Sequence, residues 1–544
     1  MSSLPAAVEH RDFDYVIVGA GSAGCVLANR LSADSSIAVL LLEAGPDREP
    51  FWVRAPAGVG NLFFDERINW KFSTEPEERL AGRRLYWPRG KIIGGTSAIN
   101  GMVYARGFAA DYDHWRDLGN PGWGFTDVLP YFRRSETSDL ATDGYRGCDG
   151  PLRVSSPRQQ HPTTDAFVRA AVDIGVPPNP DIAGATQEGV GYLQHTIGDG
   201  IRSSTARAYI APVRHRPNLT IACGSMAAKV RVKDGRALGV DYVCDGVLCF
   251  GRVRREVIVS AGAIGSPQLL MLSGIGPPEH LDRVGVRPVH ALPGVGANLQ
   301  DHLAISADYE VRDGMSLNHS LSGWRRLMHG AGYLLNQRGP LSVGPSHAVA
   351  FVRSDPGVSV PDIQLSFRPL SFAFDSRSKL RIHPFAGVQF VSAMLRPQSR
   401  GQIALRSSDP NVPPLIRANY LTAPDDERVM LATLNWIRRI ASSRPLADIV
   451  VREHLPGLRV HSDEEIMNFV RRNSQTLFHP AGTCSMGTGP MAVVDGRLRV
   501  RGVQALRVAD ASIMPTIASG NINAPTIMIA EKAADMILED ARRS

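Results

Sequence analysis

The sequence predicts an α/β fold, and three observations support this prediction. First, the β-rich apolar run DYVIV at residues 14–18 leads into the glycine pattern G-x-G-x-x-G and then into an apolar-faced helical segment. Second, the next strand-like run starts at Ile37 and ends in an acidic residue, Glu43. Third, strand-like runs and helical patterns alternate through the rest of the 544 residues. A strand, a glycine turn and a helix in this order are typical of a Rossmann-like nucleotide-binding domain.

Each of the three glycines in this turn has a physical task. Gly19 permits the tight turn, Gly21 lets the backbone approach a pyrophosphate, and Gly24 lets the helix pack closely on the strand. The helix N-terminus offers free N–H groups to the phosphates. Glu43 is placed to accept both hydroxyls of an adenosine ribose. FAD and NAD share this fingerprint, so these segments do not choose between them.

Composition and charge exclude several other classes of protein. Hydrophobic residues make up 43% and charged residues 21%, as in ordinary globular proteins, which argues against a disordered or coiled-coil chain. The net charge of +7 is scattered, and the densest basic stretch is only residues 252–255, so we expect no nucleic-acid partner. Six cysteines without a C-x-x-C pair predict free thiols, a reducing compartment and no metal site.

The N-terminus and the hydropathy pattern predict a cytoplasmic protein. The first residues, MSSLPAAVEHRDFDYVIVG, lack the basic and apolar regions of a secretory signal. No apolar run approaches the roughly 18 residues that a membrane-spanning helix needs. Peripheral contact with the inner face of a membrane is left open.

Short strand-like runs downstream predict domains that are interwoven rather than strung in series. The runs that resemble a β-rich insertion returning to the nucleotide sheet are residues 219–222, 229–232, 237–243 and 256–260. The pattern then changes, and alternating segments between residues 311 and 474 are followed by helical ones. The pair Ser462 and Glu465 fits a capping box that starts one of these helices.

Two glycine-rich stretches and the C-terminal region suggest a flavin. Residues 90–101 and 262–276 are dense enough in small residues for backbone amides to reach a large planar or anionic ligand. Near the C-terminus Asn523 lies just before a helix that Pro525 opens. A helix N-terminus aimed at a flavin would stabilise the anionic reduced form, a device that nicotinamide does not need.

Four ordered motifs resemble those of the glucose-methanol-choline (GMC) family of FAD-dependent oxidoreductases. They are GKIIGGTSAIN from Gly90, GAIGSPQLLMLSGIG from Gly262, FHPAGTC from Phe478 and GNINAP from Gly520. The resemblance covers essentially the whole chain. It implies a discontinuous FAD-binding domain, residues 1–155, 196–310 and 475–544. Residues 156–195 and 311–474 would form an interleaved sheet-and-helix domain that binds the substrate.

The resemblance also implies roles for individual residues. His479 would be the catalytic base and Asn523 the second polar contact of the substrate hydroxyl, whose proton moves toward His479 as the alcohol carbon gives hydride to flavin N5. The residues expected to contact FAD are Gly19, Gly21, Ser22, Ala23, Gly24, Glu43, Ala44, Arg89, Gly95, Thr96, Asn100, Gly101, Met102, Val103, Val230, Asp510, Ala511, Asn523, Pro525 and Thr526.

Two departures from the family pattern refine the expected chemistry. Some members bind FAD covalently through a histidine at the position of Ile99, so we expect non-covalent FAD here. Choline-oxidising members carry a glutamate after Asp-His-Leu, where this chain has Ala304. Without that carboxylate a buried trimethylammonium has no counter-charge, so we expect choline to be a poor substrate.

The expected reaction is therefore oxidation of an uncharged primary alcohol, with reoxidation of the flavin by a quinone-type acceptor or O2. The phenylalanines that could line an apolar substrate pocket are Phe351, Phe367, Phe372, Phe374 and Phe478. Two alternatives remain, a choline-type dehydrogenase and a hydroxynitrile lyase that keeps FAD without redox chemistry. The oligomeric state stays open.

Overall fold

The computed structural model describes residues 9–140, 144–158, 160–321, 323–374 and 380–543. Two seven-stranded sheets dominate these ranges, and short two-stranded ladders connect the loops. None of the helices in the described ranges is long and apolar enough to cross a bilayer. The predicted α/β fold is confirmed.

The strands are numbered along the chain. They are β1 Glu9–Val18, β2 Val39–Glu43, β3 Phe72–Ser73, β4 Tyr86–Trp87, β5 Glu136–Ser138, β6 Leu152–Val154, β7 Gly189–Tyr192, β8 Ile197–Gly198, β9 Ile201–Arg202, β10 Leu219–Cys223, β11 Ser225–Lys233, β12 Arg236–Cys244, β13 Val247–Val259, β14 Ile275–Gly276, β15 His290–Ala291, β16 Leu303–Val311, β17 Ala348–Val352, β18 Ile363–Arg368, β19 Phe372–Phe374, β20 Leu380–Ile382, β21 Gly387–Met394, β22 Gln402–Ala404, β23 Leu415–Arg417, β24 Val450–Leu455, β25 Gln475–Thr476 and β26 Leu506–Val508.

The α-helices are numbered in the same way. They are α1 Ser22–Leu31, α2 Phe51–Arg54, α3 Val59–Leu62, α4 Ala109–Asp117, α5 Phe125–Ser135, α6 Pro162–Asp173, α7 Gly262–Leu272, α8 Pro278–Arg283, α9 Gly323–Asn336, α10 Pro424–Ala441, α11 Asp463–Asn473 and α12 Asn523–Arg543. The capping box predicted for α11 is present, because the Ser462 side chain accepts from the Glu465 amide and the Glu465 side chain accepts from the Ser462 amide.

The first sheet contains the predicted nucleotide-binding strands. Its order is β10-β2-β1-β13-β12-β11, and β26 pairs with the second half of β13. The strands β10, β2, β1, β13 and β26 are parallel, whereas β12 and β11 return antiparallel. Every residue of β2 is buried, as in a strand that is covered on both faces. The carboxyl ends of the parallel strands meet along one edge, where such sheets bind ligands.

The second sheet is antiparallel throughout. Its order is β24-β16-β21-β18-β17-β7, with β25 beside β16. One face packs on α6 and α10 through an aromatic cluster, in which Phe167 stacks on Phe367 at 4.7 Å between ring centroids and Phe390 meets Phe367 edge-on at 5.2 Å. The other face carries polar side chains and borders a large cavity.

Sheet membership corrects two predicted domain limits. The nucleotide-binding segment predicted as residues 196–310 includes β16, which pairs with β21 and β24 and so belongs to the second sheet. Likewise β25 pairs with β16, although it falls in the segment predicted as residues 475–544. Pairing partners distant in sequence decide which sheet a strand joins, and strand-like patterning alone does not reveal them. The other limits, at 155 and 195, stay predictions.

Candidate active site

A cavity of about 1300 Å³ lies where the carboxyl edge of the first sheet meets the polar face of the second. The turn after β1, the end of β2 and the first turns of α7 and α12 form one part of its wall. Strands β16, β18 and β21 form another part. The glycine-rich stretch at residues 262–276 is mainly helix rather than loop, and its N-terminal turn contributes most of its wall residues.

The glycine turn has the geometry that the fingerprint predicts. Gly19 has a φ of +97°, and a Cβ there would lie 2.7 Å from the Ser260 carbonyl oxygen. A Cβ at Gly24 would lie 1.9 Å from the Gly19 carbonyl oxygen, so α1 packs on the turn as closely as its backbone permits. A Cβ at Gly21 would meet nothing within 4 Å, because this glycine faces the open cavity. The three glycines therefore have three different physical tasks.

Two buried carboxylates on the cavity wall are held by backbone amides. Glu43 accepts from the amides of Ala20 at 3.0 Å and Gly45 at 2.8 Å, and burial raises its pKa to about 7. Asp510 accepts from the Gly262 amide at 2.8 Å and so joins the end of β26 to the start of α7. Both residues occupy the sheet edge at which the sequence predicts nucleotide contacts.

The loop from Arg89 to Val103 crosses the cavity wall near the glycine turn. A Cβ at Gly95 would lie 2.7 Å from the Gly21 Cα atom, so only a glycine fits this contact. The Asn100 side chain accepts from the buried Arg202 guanidinium at 2.9 Å. Arg89 donates to the Phe478 carbonyl at 2.8 Å and thereby ties this loop to the residue before His479.

Most of the residues predicted to contact FAD lie on the wall of this one cavity. They are Gly19, Gly21, Ser22, Ala23, Glu43, Ala44, Arg89, Gly95, Thr96, Asn100, Gly101, Met102, Val103, Asp510, Ala511, Asn523 and Thr526. Gly24 and Pro525 are buried behind the wall, where they shape α1 and α12.

Val230 is not among the wall residues, which corrects one predicted contact. Its amide donates to the Ser273 hydroxyl at 2.8 Å beneath the end of α7, and its side chain is buried. The part of β11 on the wall is its start, at Ser225, Met226 and Ala227. By Val230 the strand has left the cavity and passed under α7.

The predicted substrate pocket also needs correction. Phe351 packs edge-on against Phe108 in a separate core cluster, and Phe367 stacks within the core behind the second sheet. Phe478 and Phe372 do line the cavity. The side chain of Phe374 lies outside the described part of the structure. An apolar residue in a strand packs on whichever face its register assigns, and register is not visible in the sequence.

The wall suits a large planar cofactor such as the FAD that the resemblance implies. A Cβ at Gly21, Gly101 or Gly262 would meet no atom within 4 Å, although all three glycines line the cavity. Their bare amides face a space large enough for a dinucleotide, and Glu43 is the acidic group expected near a ribose. Ile99 also lines the cavity, and its hydrocarbon side chain offers no atom for a covalent link.

His479 lies on the same wall, in a chain of hydrogen bonds between two other side chains. Its Nδ1 lies 2.9 Å from Nδ1 of His302, and its Nε2 lies 3.1 Å from Nδ2 of Asn521. His302 Nε2 lies 2.9 Å from the Leu395 carbonyl oxygen. Burial lowers the pKa of His302 to about 4 and holds the pKa of His479 well below its ordinary value, with His302 and Arg89 adding to the effect at His479. Both rings are therefore neutral at neutral pH.

The direction of these bonds fixes where the His479 ring carries its proton. The Leu395 carbonyl can only accept, so the neutral His302 ring is protonated on Nε2 and presents a lone pair at Nδ1. His479 must then donate from Nδ1, which leaves its Nε2 unprotonated and accepting from the Asn521 amide. The network thus selects the tautomer whose free nitrogen is the one beside Asn521.

Asn521, not Asn523, is the amide beside His479, which corrects the predicted catalytic pair. Asn523 is the first residue of α12, and its side-chain oxygen accepts from the Ser22 hydroxyl at 2.7 Å. It therefore joins the start of α12 to the start of α1, in the part of the wall that carries the residues predicted to contact FAD. Asn521 lies two residues earlier, and its side-chain oxygen accepts from Gln364 at 3.2 Å.

Asp301 and His302 hold His479 from behind, and the sequence alone predicted no role for either residue. Asp301 accepts from the His479 backbone amide at 2.7 Å and from the Tyr420 hydroxyl at 2.5 Å, and burial raises its pKa to about 6. Phe478 between these elements has a φ of +66°, a conformation that costs a non-glycine residue free energy. The signal that could have identified the pair is the Asp-His dipeptide itself, two chemically active residues in a buried segment.

Beyond His479 the second sheet presents three rows of side chains to the cavity side. Register places Ala304, Ala393 and Gln364 side by side in the first row, and Ser306, Val391 and Ser366 in the second. The third row is Asp308, Gln389 and Arg368. Because Gln364 contacts Asn521, the first row is the one next to His479, and the third row is the most distant.

Comparisons with known proteins agree with this geometry. Residues 13–304 and 397–530 match the N-terminal and C-terminal family models that are both described as GMC oxidoreductase. The mitochondrial choline dehydrogenase of Mus musculus is 42% identical over 98% of this chain and 91% of the relative. The oxygen-dependent choline dehydrogenase of Vibrio vulnificus is 41% identical over 97% of this chain and 94% of the relative.

Solved structures show the same fold. Pyridoxine 4-oxidase from Mesorbium loti superposes with a TM-score of 0.87 at 32% identity, covering 96% of this chain and 98% of that one. A formate oxidase variant from Aspergillus oryzae superposes with a TM-score of 0.92 at 28% identity, covering 99% and 100% of the two chains.

Proposed function

This chain belongs to the GMC oxidoreductase family, and on that premise we propose that it oxidises a primary alcohol without a positive charge, with His479 as the base. The membership makes it an FAD-dependent oxidoreductase that acts on CH–OH groups. The lyase alternative is set aside, since the relatives are named as dehydrogenases and oxidases. The single observation that carries the proposal is the chain of hydrogen bonds from the Leu395 carbonyl through His302 to His479, from which we infer an unprotonated Nε2 on the cavity wall.

His479 Nε2 is suited to take the hydroxyl proton of an alcohol. Its pKa is lowered by burial, so the ring is neutral and holds a free lone pair at neutral pH. Bound FAD supplies the acceptor for the hydride that leaves the alcohol carbon. The Ile99 side chain supports non-covalent binding of that cofactor.

Asn521 supplies the second polar contact of the substrate oxygen in this proposal. Its amide N–H groups lie beside His479 Nε2, and Gln364 holds its carbonyl oxygen in place. A fixed N–H donor stabilises the negative charge that develops on the oxygen as the proton leaves. Asp301 and His302 are positioning residues, because they act on the backbone and the ring of His479.

Choline is the second candidate substrate, since relatives at about 42% identity are named choline dehydrogenases. Against it stands Ala304 in the first row of the sheet, which packs with Val391, Ala393 and Leu477 and provides no carboxylate. Asp308, two residues beyond Ser306, accepts a hydrogen bond from the Gln389 side chain at 2.8 Å and lies in the row most distant from His479. A trimethylammonium next to His479 would thus be buried without a counter-charge.

The electron acceptor and the location of the protein stay predictions. The names of the relatives, which include oxygen-dependent dehydrogenases and oxidases, support O2, and the quinone-type acceptor rests on the sequence resemblance. A cytoplasmic location and peripheral membrane contact rest on the sequence alone.

The test is the visible spectrum of the purified holoenzyme under anaerobic conditions, with 1-hexanol, benzyl alcohol and choline added separately. We expect at least one neutral alcohol to bleach the flavin bands with a higher kcat/KM than choline, and His479→Gln to abolish the bleaching. The flavin content of His479→Gln, compared with that of the unmodified enzyme, verifies that the variant still holds its cofactor. Faster bleaching by choline than by every neutral alcohol would overturn the proposed substrate class. The rate at which colour returns in air then separates oxidase from dehydrogenase behaviour.

A further inference from the structure

Arg368 is a cation on the cavity wall, in the row of the second sheet most distant from His479. Its Nε donates to the Ser346 hydroxyl at 3.2 Å and its Nη1 donates to the Gln389 side-chain oxygen at 2.7 Å. It forms no ion pair with any residue in the described ranges, and its Nη2 has no hydrogen-bond partner among them. Burial lowers the pKa of Arg368 to about 10, so the guanidinium still carries its charge at neutral pH.

A second polar group beside Arg368 also lacks a partner. His347 precedes β17, next to Ser346, and its backbone amide donates to the Phe367 carbonyl at 2.8 Å. Its Nδ1 is buried without a hydrogen-bond partner among the described residues, although the residue lines the cavity. His347 Nδ1 is closed off from the cavity and does not contact a ligand there. The Arg368 Nη2 is not among the buried unpartnered atoms of the described residues, and it is the donor that is open to the cavity.

From these contacts we infer that Arg368 binds a carboxylate at the far end of the alcohol substrate. The inference rests on the proposed function and specifies its substrate class. The first and third rows of the sheet are four residues apart along β18, which is about 13 Å between Cα atoms. Other parts of the wall are apolar, among them Leu317, Leu341, Leu370 and Phe372. The substrate is thus a primary alcohol whose apolar chain ends in a carboxylate, an ω-hydroxycarboxylate.

Asp308 in the same row does not cancel this preference. It lies two strands from Arg368, about 10 Å across the sheet, with Gln389 between them. Gln389 donates to Asp308 at 2.8 Å and accepts from Arg368, so the amide separates the two charges. Because Coulomb energy falls with distance, the attraction of an anion in direct contact with Arg368 exceeds the repulsion from Asp308 on the other side of the Gln389 amide.

The expectation of an uncharged alcohol came from Ala304 alone. The absence of a carboxylate at Ala304 argues against a cation near His479, but it gives no information about an anion elsewhere on the wall. Arg368 determines the charge preference at the distant end of the cavity, because it repels a cation and attracts an anion there.

The first experiment compares kcat/KM for 8-hydroxyoctanoate, 1-octanol and 8-amino-1-octanol. We expect the hydroxy acid to be preferred by the unmodified enzyme, and Arg368→Gln to lower the ratio of acid to alcohol by about 10- to 100-fold, the range for a hydrogen bond to a charged group. Asp308→Asn, in the same row, is the matched control and should raise that ratio. Flavin content and Tm verify that each variant is folded. An acid-to-alcohol ratio that Arg368→Gln leaves unchanged would overturn the inference.

The second experiment separates this inference from the proposed function. Octanoate, which has no hydroxyl group, is titrated into the oxidised holoenzyme by calorimetry. We expect the Kd for octanoate to rise at least 10-fold in Arg368→Gln. If this holds while no alcohol bleaches the flavin, the anion subsite stands and the proposed reaction fails. If alcohols are oxidised but octanoate binds both proteins equally, the reaction stands and the subsite fails.

Discussion

Removal of the hydrogen-bond acceptor at His302 should shift the proton of the His479 ring from Nδ1 to Nε2. We compare His302→Leu with His302→Asn. Both variants lose the bond to the Leu395 carbonyl, but an asparagine keeps a side-chain oxygen close to the position of Nδ1. Only the leucine leaves Nδ1 of His479 without an acceptor. The pair thus isolates the tautomer from any loss of packing that the two variants share.

The size of the effect follows from the burial of this bond. The two Nδ1 atoms lie 2.9 Å apart, and both rings are buried. An unsatisfied buried donor costs about 1–3 kcal/mol, which favours the alternative tautomer by that amount. Since about 1.4 kcal/mol is a factor of ten, the rate constant should fall about 5- to 160-fold in His302→Leu.

The assay is anaerobic stopped-flow reduction of the flavin at saturating alcohol, normalised to flavin content. We expect His302→Asn to retain most of the rate that His302→Leu loses. Equal losses in the two variants would mean that His302 acts through packing alone. An unchanged rate in His302→Leu would show that the tautomer of His479 is not set by this contact.

Three further predictions concern the same cavity. Asn521→Ala should slow flavin reduction about 100- to 1000-fold, as for the loss of one donor to a developing oxyanion, whereas Asn523→Ala should chiefly weaken FAD retention. Stopped-flow reduction and the flavin content after dialysis distinguish the two variants. The reverse pattern would favour Asn523 as the catalytic amide. Gly24→Ala should lower the free energy of unfolding by about 1–3 kcal/mol, because its Cβ would lie 1.9 Å from the Gly19 carbonyl oxygen. Gly21→Ala meets no atom within 4 Å and should keep the Tm of the apoprotein while losing FAD affinity, and equal Tm values for the two variants would contradict the packing argument. The pKa of His479 is lowered by burial, so the flavin reduction rate should stay level from about pH 8 to pH 6. It should fall only in more acidic solution, as the ring gains its proton. A rate that falls with an apparent pKa equal to the ordinary histidine value would contradict the lowered pKa of His479.

The nucleotide half of the fold could be predicted from local sequence. A strand, three glycines at fixed spacing and a helix define a unit whose geometry depends on residues close in the chain, and the contacts of Gly19 and Gly24 are those that the pattern requires. The capping box of α11 was predictable for the same reason, since its two hydrogen bonds join Ser462 and Glu465.

The substrate side of the site could not be predicted in this way. Phe351 and Phe367 are apolar residues in strands, and only the strand register decides that they face the core rather than the cavity. The same register places Arg368 and Asp308 on opposite sides of Gln389, although these residues are far apart in the chain.

The sequence by itself determined that this protein holds a dinucleotide at the edge of a parallel sheet, because that conclusion rests on a short motif. It also singled out His479 as the proposed base, through the resemblance of the motif FHPAGTC. Only the tertiary structure decided that Asn521 rather than Asn523 faces His479, and that His302 sets its tautomer. A two-residue offset at the start of α12 turns one amide toward α1 and the other toward the histidine. A hydrogen bond between residues 177 positions apart exists only once both sheets are assembled.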